Sequence, residues 1–339
     1  MDISKKNNLI GLGLISGGLD SLIATLILKL QHIEIIGLNF KSPFCLCDKV
    51  YKNSECGINL FYEKLGIKVK TLQKGDDYLE LIRNPKYGYG KHLNPCIDCR
   101  IYILNKAKEF AKKINANFIY TGEVLNQRPK SQNRWALKII EKETNLEGKL
   151  LRPLSALLLQ PTILEVKGLI DRSKLLGIKG RSRKVQLEIA KNHGLLNEYY
   201  ACGGCLLTDK NFSRRLIDFF KFNKNVMMND IKILKYGRHF RFKNHKVIVG
   251  RNELENTVLI NLKNPDDIIM EVKDEKGPIT IIQGEIKSDI LSSAAKLTLR
   301  YSDAKENKGT IIYGTDKLNL TDMITIEYEN RDFLKKNII

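Results

Sequence analysis

Two features of this 339-residue sequence carry residue types that do chemistry. The first is Ser16-Gly17-Gly18-Leu19-Asp20-Ser21, set between an apolar run, 9–15, and a second apolar run, 22–28. A glycine-rich turn from a strand into a helix points several backbone N–H groups at one spot, at the positive end of the helix dipole, and so makes an anion site. Gly17 and Gly18 have no Cβ, so the backbone can approach a phosphate closely. Ser16 and Ser21 add hydroxyl donors, and Asp20 suits a Mg²⁺ held against phosphates. The turn is neither a Walker A loop nor Gly-x-Gly-x-x-Gly.

The second feature is the spacing of the cysteines: Cys45, Cys47 and Cys56, then Cys96 and Cys99, then Cys202 and Cys205. Cys-x-x-Cys ahead of a helix serves zinc, iron–sulfur, thiol exchange or a catalytic thiol. Cys96/Cys99 and Cys202/Cys205 could together form a Cys₄ zinc site, although compact zinc modules keep their pairs within roughly 20 residues. Cys45, Cys47 and Cys56 suit a second metal site, a sulfur relay or buried thiols, and no role is assigned to them.

These residues need elements to position them. Apolar strands are expected at 9–15, 34–40, 67–72 and 118–121, with helices after the glycine turn, around 59–65 and at 101–114. Strands alternating with helices imply an α/β fold with a doubly wound parallel sheet, whose ligands sit at the carboxyl ends of the strands. The loops on that edge are 16–21, 39–56, 75–99 and 122–132. From about 166 to 216 the pattern is helical, and beyond about 221 it changes to short alternating segments such as 238–242, 246–250 and 309–313. The expected organisation is a first domain over 1–222, with a helical extension from about 166, and a smaller β-rich domain over 223–339.

The formal charge of +19 favours a polyanionic partner, most simply nucleic acid. No apolar run reaches the roughly 18 residues of a membrane helix, and Met1–Lys6 lacks signal-peptide character, so a cytoplasmic protein is expected. Cysteines in that compartment serve as ligands or catalysts more often than as disulfides.

The 16–21 turn resembles the PP-loop of the ATP pyrophosphatase superfamily, whose members cleave ATP between the α and β phosphates. Five further blocks, 88–99, 121–132, 151–156, 180–184 and 203–209, resemble PP-loop tRNA sulfurtransferases related to the 2-thiouridine and 4-thiouridine synthetases. The stretches 237–241 and 249–252 resemble the RNA-binding domain of NFACT proteins. The resemblance implies ATP and Mg²⁺, with ATP on Ser16, Gly17, Gly18, Asp20 and Ser21, the adenine near Phe40, and Gly122 and Glu123 close to the α-phosphate. In the iron–sulfur-dependent branch of this family, three cysteines hold a 4Fe–4S cluster. Cys96, Cys99 and Cys205 match those positions, while Cys202 is extra. Catalytic roles accordingly fall to Cys99, Cys205 and Asp20. Cys96 favours the cluster, since the cluster-free synthetases typically carry Asp there. Arg128 suits a developing phosphate charge or a tRNA phosphate, and Arg181, Arg183 and Lys184 suit the tRNA backbone. The implied partners are tRNA and a sulfur donor, either sulfide or a persulfide carrier. Three alternatives stand beside this reading: a cluster-free persulfide thiolase, a zinc-containing nucleic-acid-binding protein with a regulatory ATP site, and a synthetase adenylating a carboxylate. Trp135 is expected to pack rather than stack on a base.

Overall fold

The computed structural model describes residues 9–46, 62, 65–197, 199, 204–284, 288–328 and 337–339. The chain divides into two compact units, Met1–Thr208 and Asp209–Ile339.

The first unit is built on a five-stranded parallel sheet. Its strands are β1 (Ile10–Leu14), β2 (Glu34–Lys41), β3 (Lys68–Gln73), β4 (Phe118–Thr121) and β5 (Leu150–Leu151), in the order β3-β2-β1-β4-β5. Parallel pairing demands crossovers, supplied by α1 (Leu19–Lys29), α2 (Asp77–Arg83), α3 (Cys96–Lys113) and α4 (Arg134–Thr144). Alternation along β4 divides the core between the two faces. Phe118 and Tyr120 pack with α1 residues such as Leu22, Ile23 and Ile27, while Ile119 packs with Leu104 and Ala107 of α3 and Ile140 of α4. The strand order changes direction at β1, so the crevice for a ligand opens between the carboxyl ends of β1 and β4. Register brings those ends level, because Leu14 stands opposite both Leu38 of β2 and Thr121 of β4. Three of the loops expected on the ligand edge therefore leave the sheet side by side.

The segment read as helical beyond 166 is mostly short pieces. A one-turn helix, α5 (Ile163–Val166), is followed by a 3₁₀ turn, Arg172–Lys174, and then by α6 (Lys184–Asn192). Glycines at positive φ, Gly168 at 66° and Gly180 at 85°, interrupt the periodic apolar residues.

The second unit begins with α7 (Lys210–Phe222), an amphipathic helix that the sequence pattern assigned to the first domain. It continues as a six-stranded antiparallel sheet of β6 (Arg238–Phe242), β7 (His245–Val249), β8 (Ile268–Val272), β9 (Thr280–Gln283), β10 (Lys308–Gly314) and β11 (Asp322–Glu327). The strand order is β11-β10-β8-β9-β7-β6. Two helices, α8 (Glu253–Leu262) and α9 (Ser288–Arg300), complete it. Ile290, Ala294 and Leu297 of α9 pack on Phe240, Val247, Met270 and Ile282. The molecule is thus α/β with a separate antiparallel β-rich unit. Among the described residues no helix is long and apolar enough to cross a membrane.

Candidate functional site

The turn after β1 builds the first wall of the site. Gly17 takes φ 78°, which an L side chain resists, and Gly18 caps α1 with no side-chain hydrogen bond to its N-terminal amides. The turn is braced from within: Ser21 Oγ donates to Gly18 O at 2.8 Å, and Ser16 Oγ lies 3.3 Å from Ser21 Oγ. Gly122, first residue after β4, sits directly on this turn. A Cβ there would lie 2.6 Å from Ser21 N and 2.7 Å from Asp20 C. Only glycine lets the β4 loop come this close.

Opposite the turn lie the thiols. Cys96 and Cys99 occupy the first turn of α3, whose N-cap is Pro95, with Cys99 N donating to Pro95 O at 2.7 Å. Buried Asp98 fixes the approach to this turn by accepting from Tyr87 N at 3.2 and 3.3 Å. Cys205 arrives from far along the chain on a strip held from two sides. Leu206 N donates to Phe44 O at 2.8 Å, Leu93 N donates to Leu207 O at 3.1 Å, and Cys45 and Cys205 pair as an isolated antiparallel bridge.

These walls enclose one cavity of about 310 Å³. Its lining includes Ser16, Asp20, Ser21, Phe40, Gly122 and Arg128 together with Cys96, Cys99 and Cys205, and Cys45 joins them. Gly17 and Gly18 shape the turn without lining the cavity, and Arg181 and Lys184 are exposed and away from it. Cys47, Cys56 and Cys202 lie outside the described residues, as does most of the helix expected around 59–65.

Electrostatics around the thiols is uneven. Lys74, at the end of β3, donates from Nζ to Cys99 Sγ at 3.2 Å and covers the Tyr78 ring at 4.0 Å. Burial pushes the Cys205 thiol up to about 12, and burial with the neighbouring Cys99 also raises Cys96. Burial keeps the Tyr78 phenol protonated, reinforced by Cys99, Cys205 and Cys45 beside it. Among the described residues no group of three or more His, Cys, Asp or Glu is arranged to hold a single metal ion. A cubane cluster differs from a single ion in taking its thiolates at separate corners. The sulfurs that line this cavity, those of Cys45, Cys96, Cys99 and Cys205, are the donor type that such clusters take.

Asp20 has unexpected company. Its carboxylate accepts from Gln127 Nε2 at 3.1 Å, from Gln186 Nε2 at 3.0 Å and from Arg183 at 3.3 Å. Arg183, expected on the tRNA backbone, thus reaches the glycine turn after β1. Glu123 is buried between two guanidiniums, Arg100 and Arg152, each with Nε 3.0 Å from a carboxylate oxygen. Burial pushes this carboxyl up, but the two arginines prevail and hold it below the usual glutamate value. Arg152 continues the chain of charges to Glu141.

Residues 8–163 match the family described as Thiamine biosynthesis protein (ThiI), and residues 237–337 match the NFACT protein RNA binding domain. The ThiI-family match covers a little under half of this chain, all of it within the first unit. The tRNA-specific 2-thiouridylase MnmA of Marinomonas sp. (strain MWYL1) is 26% identical over 249 residues, 68% of this chain and 58% of that protein. The crystal structure of a 4-thiouridine synthetase–RNA complex with bound ATP aligns with 67% of this chain and 52% of its own, at 18% identity and TM-score 0.41. The C-terminal part of the fibronectin/fibrinogen-binding protein of Streptococcus suis aligns with 72% of this chain and 99% of its own, at 14% identity and TM-score 0.28. The chain spans little more than half the length of the first two. Within the ThiI-family match fall the turn, Gly122, Cys96, Cys99 and Lys74, whereas Cys205 lies beyond it.

Sequence reasoning missed Lys74, Tyr78, Gln127 and Gln186 as site residues. Lys74 had a signal, since it follows a strand of the parallel sheet at its carboxyl end. Gln186 had none, because α6 reaches Asp20 only through the fold.

Proposed function

We propose that this chain is an ATP-dependent tRNA thiolase that adenylates a uridine carbonyl oxygen and replaces that oxygen with sulfur. The observation that carries the reading is the single cavity walled by the nucleotide turn on one side and by Cys96, Cys99 and Cys205 on the other. The ThiI-family match, the NFACT RNA-binding match and the formal charge of +19 support it.

In this reading the triphosphate lies on the amides of the 16–21 turn, with Asp20 steering Mg²⁺ and Gln127 and Gln186 fixing the carboxylate. The uridine oxygen attacks the α-phosphorus, the Pα–O–Pβ bond breaks and pyrophosphate leaves. A sulfur nucleophile then attacks the activated carbon, and AMP departs with the original oxygen. Arg128 and Arg100, both on the cavity wall, offset the phosphate charge as it develops. Cys96, Cys99 and Cys205 would hold a 4Fe–4S cluster, which supplies an open coordination position for the incoming sulfide. Lys74 would hold Cys99 in place through its contact with Sγ, and Cys205, whose thiol burial pushes up, would have to give up its proton to serve as a ligand.

A cluster-free persulfide route has support of its own in the same place. Lys74 on Cys99, with Cys45 and Cys205 on backbone segments that pair and in the lining of the same cavity, would suit thiols that carry and release sulfur. Anaerobic purification with iron and sulfide analysis separates the two. Unmodified tRNA, ATP and sulfide are then incubated with the protein and the nucleosides analysed by mass spectrometry. Thiouridine is expected, together with its loss and the loss of iron in Cys96→Ala, Cys99→Ala and Cys205→Ala while ATP binding survives. Asp20→Ala should stop pyrophosphate release. Full activity without iron would remove the cluster; no thiouridine and no pyrophosphate with any tRNA would remove the function.

A further inference from the structure

The second unit holds a cavity of its own, about 290 Å³, walled by α7, the segment that follows it, β7 and the ends of β8 and β9. Its chemistry differs from that of the thiol cavity. Phe222, at the end of α7, is partly exposed, and the Arg241 guanidinium lies 4.1 Å from its ring centre. Arg241 is pinned there by Asp218, with Nε 3.0 Å from Oδ1. Asn229 and Gln283 place side-chain amides on the wall, and Gln283 Nε2 donates to Asp267 at 3.3 Å.

Lys246 is the observation that points to a ligand. It is 2% exposed, it lines the cavity, and its ammonium has no hydrogen-bond partner among the described residues. Asp218 is 3.9 Å away and already engaged by Arg241. A buried donor left without an acceptor is costly and uncommon in folded proteins. Burial also holds Lys246 down to about 7.

The ionisable walls balance, Arg241 and Lys246 against Asp230 and Asp267, so the cavity suits a ligand with mixed donors and acceptors better than a bare anion. An aromatic ring backed by a guanidinium suits a flat ligand. Bases inside a duplex have their edges paired and their faces covered, so only an unstacked base can enter such a cavity.

We propose that this cavity takes one splayed-out nucleobase of single-stranded RNA, its face on Phe222 and its polar edge toward Lys246, Asn229 and Gln283. The proposal rests on the reading of this unit as RNA-binding and is independent of the sulfur chemistry.

Fluorescence anisotropy on the full chain tests it. The probes are short labelled single-stranded RNAs of each base composition, a blunt RNA duplex and a folded tRNA, at one fixed salt concentration. Phe222→Ala and the surface variant Asn229→Ala are each expected to weaken single-strand binding, about tenfold for Phe222→Ala, and to leave duplex binding unchanged. Circular dichroism checks that both variants fold. Single-strand affinity within twofold of the unaltered chain in both variants overturns the proposal, as does an equal loss on duplex. Binding of folded tRNA without any binding of single strands overturns the proposal while sparing the RNA-binding reading; binding of neither removes both.

Discussion

Replacing Gly122 by alanine tests the closeness of the two walls of the nucleotide crevice. The added methyl would meet Ser21 N at 2.6 Å and Asp20 C and Ser21 Cα at 2.7 Å. These are backbone atoms in the first turn of α1, so no rotamer change relieves the overlap. Ordinary contact begins near 3.4 Å, so the loop after β4 must retreat by about 0.8 Å. Overpacking of this kind costs about 1–3 kcal/mol, and in a unit of this size it lowers Tm by about 2–10 °C. A displacement approaching 1 Å at the reacting phosphorus also costs up to about a hundredfold in rate. Thermal melting without nucleotide, calorimetric titration with ATP and pyrophosphate release read the three effects. Gly177→Ala is the control, since its methyl would stand 3.5 Å from Leu157 Cβ, an ordinary contact. Gly122→Ala with the melting point and ATP affinity of the parent would refute the reasoning.

Glu123→Gln leaves Arg100 and Arg152 facing each other without their carboxylate and is expected to cost about 3–5 kcal/mol in urea unfolding at neutral pH. Because the folded carboxyl titrates below its unfolded value, its contribution is complete above that value and fades as the pH falls through it. The gap between parent and variant should therefore narrow in acid. Ser155→Ala removes a buried hydroxyl that accepts from Leu125 N at 2.9 Å and donates to Ile178 O at 2.7 Å; a loss of about 1–3 kcal/mol is expected in the same assay. Lys246→Met removes a buried, poorly compensated ammonium and should stabilise the chain by about 1–4 kcal/mol near neutral pH. With the folded amine at about 7 and the unfolded one near 10.5, the unfolded chain binds the extra proton between those values. The parent therefore gains stability as pH rises through that window, and the advantage of Lys246→Met should shrink from about pH 6 to about pH 9.

The local parts of the site were legible in the sequence because they depend on neighbours. The glycine turn, the strands at 118–121 and 238–242 and the thiols at the head of a helix all follow from short-range pattern. The edge rule for parallel sheets brings the described parts of the loops after β1, β2 and β4 together at one edge. What pattern could not give was contact between distant segments. Gln186 meets Asp20, and Lys74 meets Cys99, only because the sheet order brings α6 and β3 to the same crevice. β5 is two residues long, too short for any periodicity, and it exists because Ile119 and Tyr120 offer it a ladder. The apolar face of α7 carries no mark of which unit it will serve. Trp135, read as packing, is 58% exposed with its ring edge-on to Tyr87 at 6.4 Å, because its neighbours Ala136 and Leu137 take the buried face of α4.

The strip bearing Cys205 has a consequence for how the protein is made. The cavity residues from Leu14 to Gln132 are all synthesised before Cys205, which belongs to the last few residues of its unit. Cys205 is thus the last of the cavity's residues to be made. A polypeptide that stops short of it would lack one thiol of the cavity, and the docking of that final strip completes the site.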